Sequence, residues 1–283
     1  MSENHDLVSR RGFLSGAGLM LAGAAAGMAG HGLFVEPATA AIQESPSWPW
    51  PYAPLDEEMV RKKGHQGYYI NSCSQGSFYA IITELREKVG APYTYIPVEL
   101  MAYGASGVAG WCTLCGALNG SCAAISLTCK DYDKLTGELL AWFTQTPFPS
   151  DISNQYAKDH AFLVDKYKSD KVLPQTVSGS PLCHVNVSKW CKEHGFASGS
   201  HERSERCARI SGDVAAMAVH LLNAYHAGTF TPKYDLSQTT KTCRACHQKG
   251  KDFEKGNWTR GKMDCGGCHI EGQVSLVSPT HPK

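Results

Sequence analysis

The sequence predicts a mainly α-helical fold, in which a helical cysteine-rich domain precedes a small, irregular C-terminal segment. Three observations carry that prediction. Apolar residues recur at spacings of three and four along several long stretches, no series of alternating strands emerges, and the chain beyond residue 228 lacks the large apolar side chains for a core of its own.

Residues 1–40 read as an export signal. Ser9-Arg10-Arg11-Gly12-Phe13-Leu14 leads into a Gly/Ala-rich apolar run from Gly16 to Gly30, the pattern of a twin-arginine leader. A membrane helix is the competing reading. It is weakened because Leu19, Met20 and Leu21 form the one strongly apolar cluster, whereas a span wants roughly 20 such residues. Ala38-Thr39-Ala40 supplies a small-x-small cleavage site, so a mature chain beginning near Ala41, periplasmic and without a membrane span, is expected.

The helical domain is expected over 41–228. Residues 41–56, with Pro46, Pro49, Pro51 and Pro54 beside Trp48 and Trp50, read as an extended arm laid on a surface. A short helix near Glu57–Lys63 follows, then a longer one from Gln75 to Val89. Its Phe78, Ile81, Ile82, Leu85 and Val89 form one stripe, closed by Gly90. A Gly/Ala-rich helix or helix pair is expected over 105–128, with Cys115, Cys122 and Cys129 sharing a face. An amphipathic helix is expected over 132–144 (Leu135, Leu139, Leu140, Trp142, Phe143). Proline-punctuated loops fill 145–182, and helices near 186–194 and 202–227 complete the domain, the last ended by Gly228. Residues 228–242 link to the C-terminal segment, which occupies 229–283.

With 27 Lys+Arg against 26 Asp+Glu in 283 residues, the chain has no strong field, which argues against a nucleic-acid partner. Hydrophobic residues at 42% suffice for a real core and exclude disorder as the main state. Twelve Cys and twelve His point to cofactor ligation.

Cys243-Arg244-Ala245-Cys246-His247 and Cys265-Gly266-Gly267-Cys268-His269 are two CxxCH motifs. In such a motif two thiols add to the vinyl groups of a c-type haem and the following imidazole binds its iron, so two haem c groups per chain are expected. Cys-x2-Cys-x18-Cys-x2-Cys is also zinc-ribbon spacing, which makes a zinc-binding structural module an alternative. Two ordinary disulfides are a third reading. Neither alternative accounts for a histidine after both pairs. Between the motifs Phe253 and Trp258 are the only large aromatic groups, too few to bury two macrocycles, so haem stacking and a homodimer are expected.

A low-spin haem needs a second axial ligand, and bis-histidine ligation suits crowded haems. His65, His184, His220 and His226 are candidates, from this subunit or its partner. His220 and His226 lie six apart, about 120° around a helix, and cannot both face one haem.

The eight remaining cysteines, Cys73, Cys112, Cys115, Cys122, Cys129, Cys183, Cys191 and Cys207, would in an exported protein ordinarily form four disulfides. The twin-arginine route carries folded proteins, and an iron–sulfur cluster built before export would require it. A cluster held by three or four of these thiolates is therefore the favoured expectation, with disulfides or inert thiols as alternatives. Gly116 and Gly120 would let a bulky inorganic group approach the backbone.

Gly64-His65-Gln66-Gly67-Tyr68-Tyr69 before Cys73, then Cys115-Gly116-Ala117-Leu118-Asn119-Gly120, Cys183-His184 to Trp190-Cys191, and Cys207-Ala208-Arg209-Ile210 resemble the redox-active family named for its Cys…GCAxxG…Cys…Cys pattern. With two CxxCH motifs appended, the chain over about 50–270 is similar to the split-Soret cytochromes c. The resemblance implies a homodimer with two haems per subunit in stacked pairs, bis-histidine ligation with one ligand from the neighbouring subunit, and a domain able to carry a 2Fe–2S or 4Fe–4S cluster. By position it implies Cys73, Cys115, Cys183 and Cys207 as cluster ligands, with Cys191 a close competitor. The chain departs from the pattern in reading Cys115-Gly116-Ala117 where the family has Gly-Cys-Ala, and in its extra thiols Cys112, Cys122 and Cys129. The implied function is periplasmic electron transfer. A multihaem oxidoreductase with an open haem iron is the alternative enzyme reading, and redox partner proteins leave no motif.

Overall fold

The structure, a computed structural model, describes residues 46–249 and 259–269. The leader and its cleavage site lie outside the described residues, as do Phe253 and Trp258. The described chain is mainly α-helical, as the periodicity predicts.

α1 runs from Glu57 to Lys88. The Asp56 carboxylate accepts from the N–H groups of Glu58 and Met59 at 2.8 and 2.9 Å, and acidic and basic residues occupy the first and last turns in the sense the helix dipole favours. The element is two helical pieces joined at Asn71 and Ser72, which leave helical geometry (Ser72 φ 66°, ψ −175°). The first piece is longer than the short helix expected near 57–63. Gly64 continues the helix because it is a contact point, where an added Cβ would lie 2.8 Å from the Cα of Gly212.

Two 3-10 turns follow, Tyr93–Tyr95 and Val98–Gly104, and then α2, Gly116–Thr128. The helix expected from residue 105 is not there. Residues 105–115 form a loop in which Ser106, Gly107, Val108, Ala109, Gly110 and Cys112 all take positive φ. Small residues with no apolar period of their own offer nothing for a helix face to bury, and the end of this loop pairs with another segment instead. The shared cysteine face fails with it: Cys115 is the N-cap and Cys129 the C-cap of α2, so Cys122 alone is within the helix.

α3, Tyr132–Gln145, matches its prediction. β1 (Pro147–Phe148) and β2 (Thr176–Val177) form one short antiparallel pair. Between them α4, Asp151–Lys158, is a helix the proline-rich window hid; Ser150 caps it by accepting from the Ser153 N–H at 3.2 Å. α5 is Cys183–His194, ended by left-handed Gly195, and α6 is Cys207's helix, His201–His226. α7 (Gln238–His247) and α8 (Gly266–His269) lie in the segment expected to be irregular.

α1 and α6 pack antiparallel, since the contacts Leu55–Asn223, Arg61–Asp213, His65–Glu205 and Tyr68–Ser204 run in opposite chain directions. Against this pair lie α2 and α3. The core comprises Phe78, Ile81, Ile82 and Leu85 of α1, Leu118 and Ile125 of α2, Leu135, Leu139 and Phe143 of α3, and Val214, Val219 and Leu222 of α6. Burying each such side chain stabilises the fold by roughly 1.5–3 kcal/mol. Inside it Asp213 accepts from Arg61 Nη1 at 2.5 Å and from the hydroxyls of Ser150 and Ser153 at 2.6 Å each, tying α6 to α1 and α4. The arm packs as expected: Trp48 Nε1 donates to the Ser126 carbonyl and the Trp50 N–H to Leu127, both at 2.7 Å. Among the described residues no helix is long and apolar enough to cross a membrane.

Candidate functional site

Four thiols from four elements converge. Cys73 opens the second piece of α1 just past the break, Cys115 caps α2, Cys183 starts α5, and Cys207 lies in the second turn of α6. Two devices assemble them. Gly116 and Gly120 let α1 press onto α2: a Cβ at Gly116 would sit 2.3 Å from Cys73 Sγ, and one at Gly120 would sit 2.0 Å from the Ser74 carbonyl. Those glycines therefore admit α1, where the sequence suggested room for an inorganic group. The second device is a short antiparallel pairing. The Cys115 N–H donates to Pro181 O at 2.9 Å, the Cys183 N–H to Thr113 O at 2.7 Å, and the His184 N–H to Cys112 O at 3.1 Å.

The sulfurs act on one another electrostatically. Burial pushes the Cys115 thiol well up, and Cys73, Cys183 and Cys207 add to it. Burial and then Cys207, Cys73 and Cys112 push Cys183 up to about 12. Burial also raises Cys207, against the opposing pull of Arg206 and Arg203. A set of sulfurs that each disfavour the others' charge is one that a cation relieves, because thiolate is the ligating form. Beside them Arg206, fully buried, keeps Nε and Nη1 without a hydrogen-bond partner among the described residues. An anionic metal–thiolate group would supply the missing acceptor, and in composition and charge the donor set fits one. As they stand, no three His, Cys, Asp or Glu side chains among the described residues are close enough to share one metal ion.

Every cysteine whose side chain is described is a free thiol. Cys191, two turns beyond Cys183 on α5, is raised by burial and pulled down chiefly by Arg206 and Arg203. Cys122 is pushed up to about 12 by burial alone, as an inert core thiol would be. Cys129 is raised by burial, against the opposing pull of Tyr225, whose hydroxyl donates to Asp131 Oδ2 at 3.1 Å.

The histidines separate. His65 has no exposure; its Nε2 donates to Glu205 Oε1 at 2.8 Å and its ring stacks on Phe162 at 3.7 Å. Its candidacy as an axial ligand is corrected by this burial, since a core imidazole committed to a carboxylate reaches no external haem. His184, His220 and His226 are exposed. His220 Nδ1 contacts Glu57 Oε1 at 3.0 Å, and His226 stacks on Tyr52 at 4.4 Å, with burial holding it below the usual imidazole value.

In the C-terminal segment each CxxCH motif carries its histidine on a short helix, His247 as the last residue of α7 and His269 within α8. Helical spacing puts Cys243 and His247 on one face. The two motifs adjoin: the Cys243 thiol is raised by burial and then by Cys265 and Asp264. Thr240 Oγ1, buried in α7, donates to Met263 O at 3.3 Å. The side chain of Cys268 lies outside the described residues.

Sequence reasoning missed Arg203 and Arg206. The signal was present as Arg203-Ser204-Glu205-Arg206-Cys207, charges at helical spacing directly beside a cysteine.

Residues 71–221 match the C_GCAxxG_C_C family of redox-active proteins. That interval takes in all four converging cysteines and ends before the CxxCH motifs. The chain is 33% identical, over 279 residues covering 93% of it and 94% of the relative, to split-Soret cytochrome c from Desulfovibrio desulfuricans. A solved structure describing a novel iron centre in split-Soret cytochrome c from the same organism aligns with a TM-score of 0.69 and 30% identity, over 82% of this chain and 95% of that one.

Proposed function

The chain belongs to the split-Soret cytochromes c and, through residues 71–221, to the C_GCAxxG_C_C family of redox-active proteins; from this premise we propose that it is an exported electron carrier with two haem c groups and an iron–sulfur centre. The observation that carries the reading is the adjacency of the two CxxCH motifs, each with its histidine on a short helix, where Thr240 of α7 donates to the Met263 carbonyl two residues before Cys265. Bound haem c supplies a one-electron iron couple.

The protein's own residues do the rest. Cys243 and Cys246, and Cys265 and Cys268, would tether the groups, and His247 and His269 would present imidazoles from their helices. Because the motifs adjoin, the groups they hold are neighbours, which suits electron exchange between them. His184, His220 and His226 remain as second ligands, and donation across a homodimer matches the shortage of apolar cover in this segment. The neutral form that burial favours in His226 is the form that ligates iron. In the helical domain Cys73, Cys115, Cys183 and Cys207 would hold the iron–sulfur centre. A folded host for such a centre accounts for the twin-arginine leader, and so for a periplasmic location.

The test is mass and optical spectroscopy of protein matured in a host that attaches haem c. The expected result is two covalent haems per chain, retained under denaturation, with no carbon monoxide binding to the reduced protein. A colourless chain containing zinc would sink the reading. Carbon monoxide binding would turn it toward a catalyst with an open iron.

A further inference from the structure

Arg206 is buried with only part of its guanidinium used. Nη2 donates to Asn186 Oδ1 at 2.8 Å, and the guanidinium carbon lies 5.2 Å from the Trp190 ring centroid. Both partners belong to α5, and Asn186 is one turn from Cys183. Cys207 is the next residue along α6. The guanidinium is thus clamped between two cysteine-bearing helices, while Nε and Nη1 find no acceptor among the described residues. Buried charged donors without partners are costly and rarely tolerated without a reason. The acidic groups that act electrostatically on this guanidinium are Cys207, Cys115 and Cys191 and, more weakly, Glu193. Glu193 already accepts from the Thr176 hydroxyl at 2.6 Å. Neutral thiols are weak acceptors, whereas metal-bound thiolate and sulfide are strong ones.

We propose that Arg206 is a positioning residue for the iron–sulfur centre, donating Nε and Nη1 to its sulfur atoms and offsetting its negative charge, so that the centre's reduction potential is raised. The proposal rests on the reading of that centre given above. Reduction adds negative charge to a thiolate-bound centre, and a buried cation with aimed donors favours the reduced state. Asn186 and Trp190 fix the fork, so the donors are in place before the centre is reduced.

The experiment uses the full-length, haem-loaded protein with Arg206→Met and Arg206→Lys variants. Non-haem iron is counted per chain, and its electron paramagnetic resonance signal is followed through a redox titration, with the haem midpoints as internal reference. Arg206→Met is expected to move the non-haem midpoint to more negative potential with the haem midpoints unmoved. Arg206→Lys, which keeps charge but loses the planar fork, is expected to shift it less and to alter the g-values. A midpoint and g-values identical to wild type in either variant would overturn the role given to Arg206 while leaving the centre intact. If Arg206→Met does not fold, the lysine variant decides on the same criterion. Absence of non-haem iron from the wild-type protein would instead defeat the underlying reading.

Discussion

At Gly116 a missing side chain leaves room for the sulfur of Cys73. Cys73 Sγ occupies the space a Cβ would take, and the Gly104 carbonyl stands 2.8 Å from the same point, so neither sulfur nor backbone can yield cheaply. Gly116→Ala is expected to cost about 1–3 kcal/mol in chemical denaturation and to lower non-haem iron content, with haem content unchanged. Cys115→Ser is expected to abolish the non-haem signal, with haem content unchanged, and to lower the unfolding midpoint as the bound centre's contribution is lost; a variant that keeps its full iron would remove Cys115 from the ligand set. Asp213 is a different case, a buried carboxylate facing Arg61 and two hydroxyls. Asp213→Ala strands the guanidinium and is expected to destabilise by about 3–5 kcal/mol, measured by urea unfolding.

Among the elements, the break in α1 and the pairing of residues 112–115 with 181–184 decide where the thiols stand. Ser72 holds φ 66° and ψ −175°, a region that glycine tolerates and serine does not, at a cost of order 1–3 kcal/mol. The break lets Cys73 leave the register of the first helical piece and turn toward Cys115. Ser72→Gly should relieve that strain and raise the thermal midpoint; a lower midpoint would mean that the Ser72 hydroxyl's contact to Cys73 Sγ at 3.7 Å outweighs the strain. Both short helices of the C-terminal segment were hidden in a window poor in apolar residues. α7 is instead started by Ser237, whose hydroxyl accepts from the Thr240 N–H at 3.1 Å.

Across the whole molecule α1 and α6 are joined by polar groups as well as by apolar surface, and this makes stability depend on pH. Burial, ahead of the opposing pull of Glu205, holds the His65 imidazole below its ordinary value. A histidine with a depressed folded value takes its proton more readily when unfolded. Its contribution is therefore complete above about pH 6.5 and is lost as the pH falls below that. Burial would raise the Glu205 carboxyl, but His65, Tyr69 and Arg209 together hold it below the carboxylate range, so its contribution is lost on further acidification. The urea midpoint should be level near pH 7.5 and fall between pH 7 and 5. His65→Gln should flatten that fall, and an undiminished slope in the variant would assign it to other groups.

The sequence by itself determined that the fold is mainly helical, that the arm is extended, and that α3 and α6 run nearly where their apolar spacing ends. These features depend on neighbours in the chain, and period, caps and prolines record them. It also marked the CxxCH pairs and the spaced cysteines, because thiol spacing is itself the chemical requirement. Tertiary structure alone decided that Gly64 and Gly116 are contacts between helices, that residues 105–115 are loop, and that His65 is buried and hydrogen-bonded to Glu205. It alone set Arg206 against the cysteines. Each of those outcomes depends on what packs against a residue from a distant part of the chain, and close approach, burial and a missing acceptor leave no periodic trace in the order of amino acids.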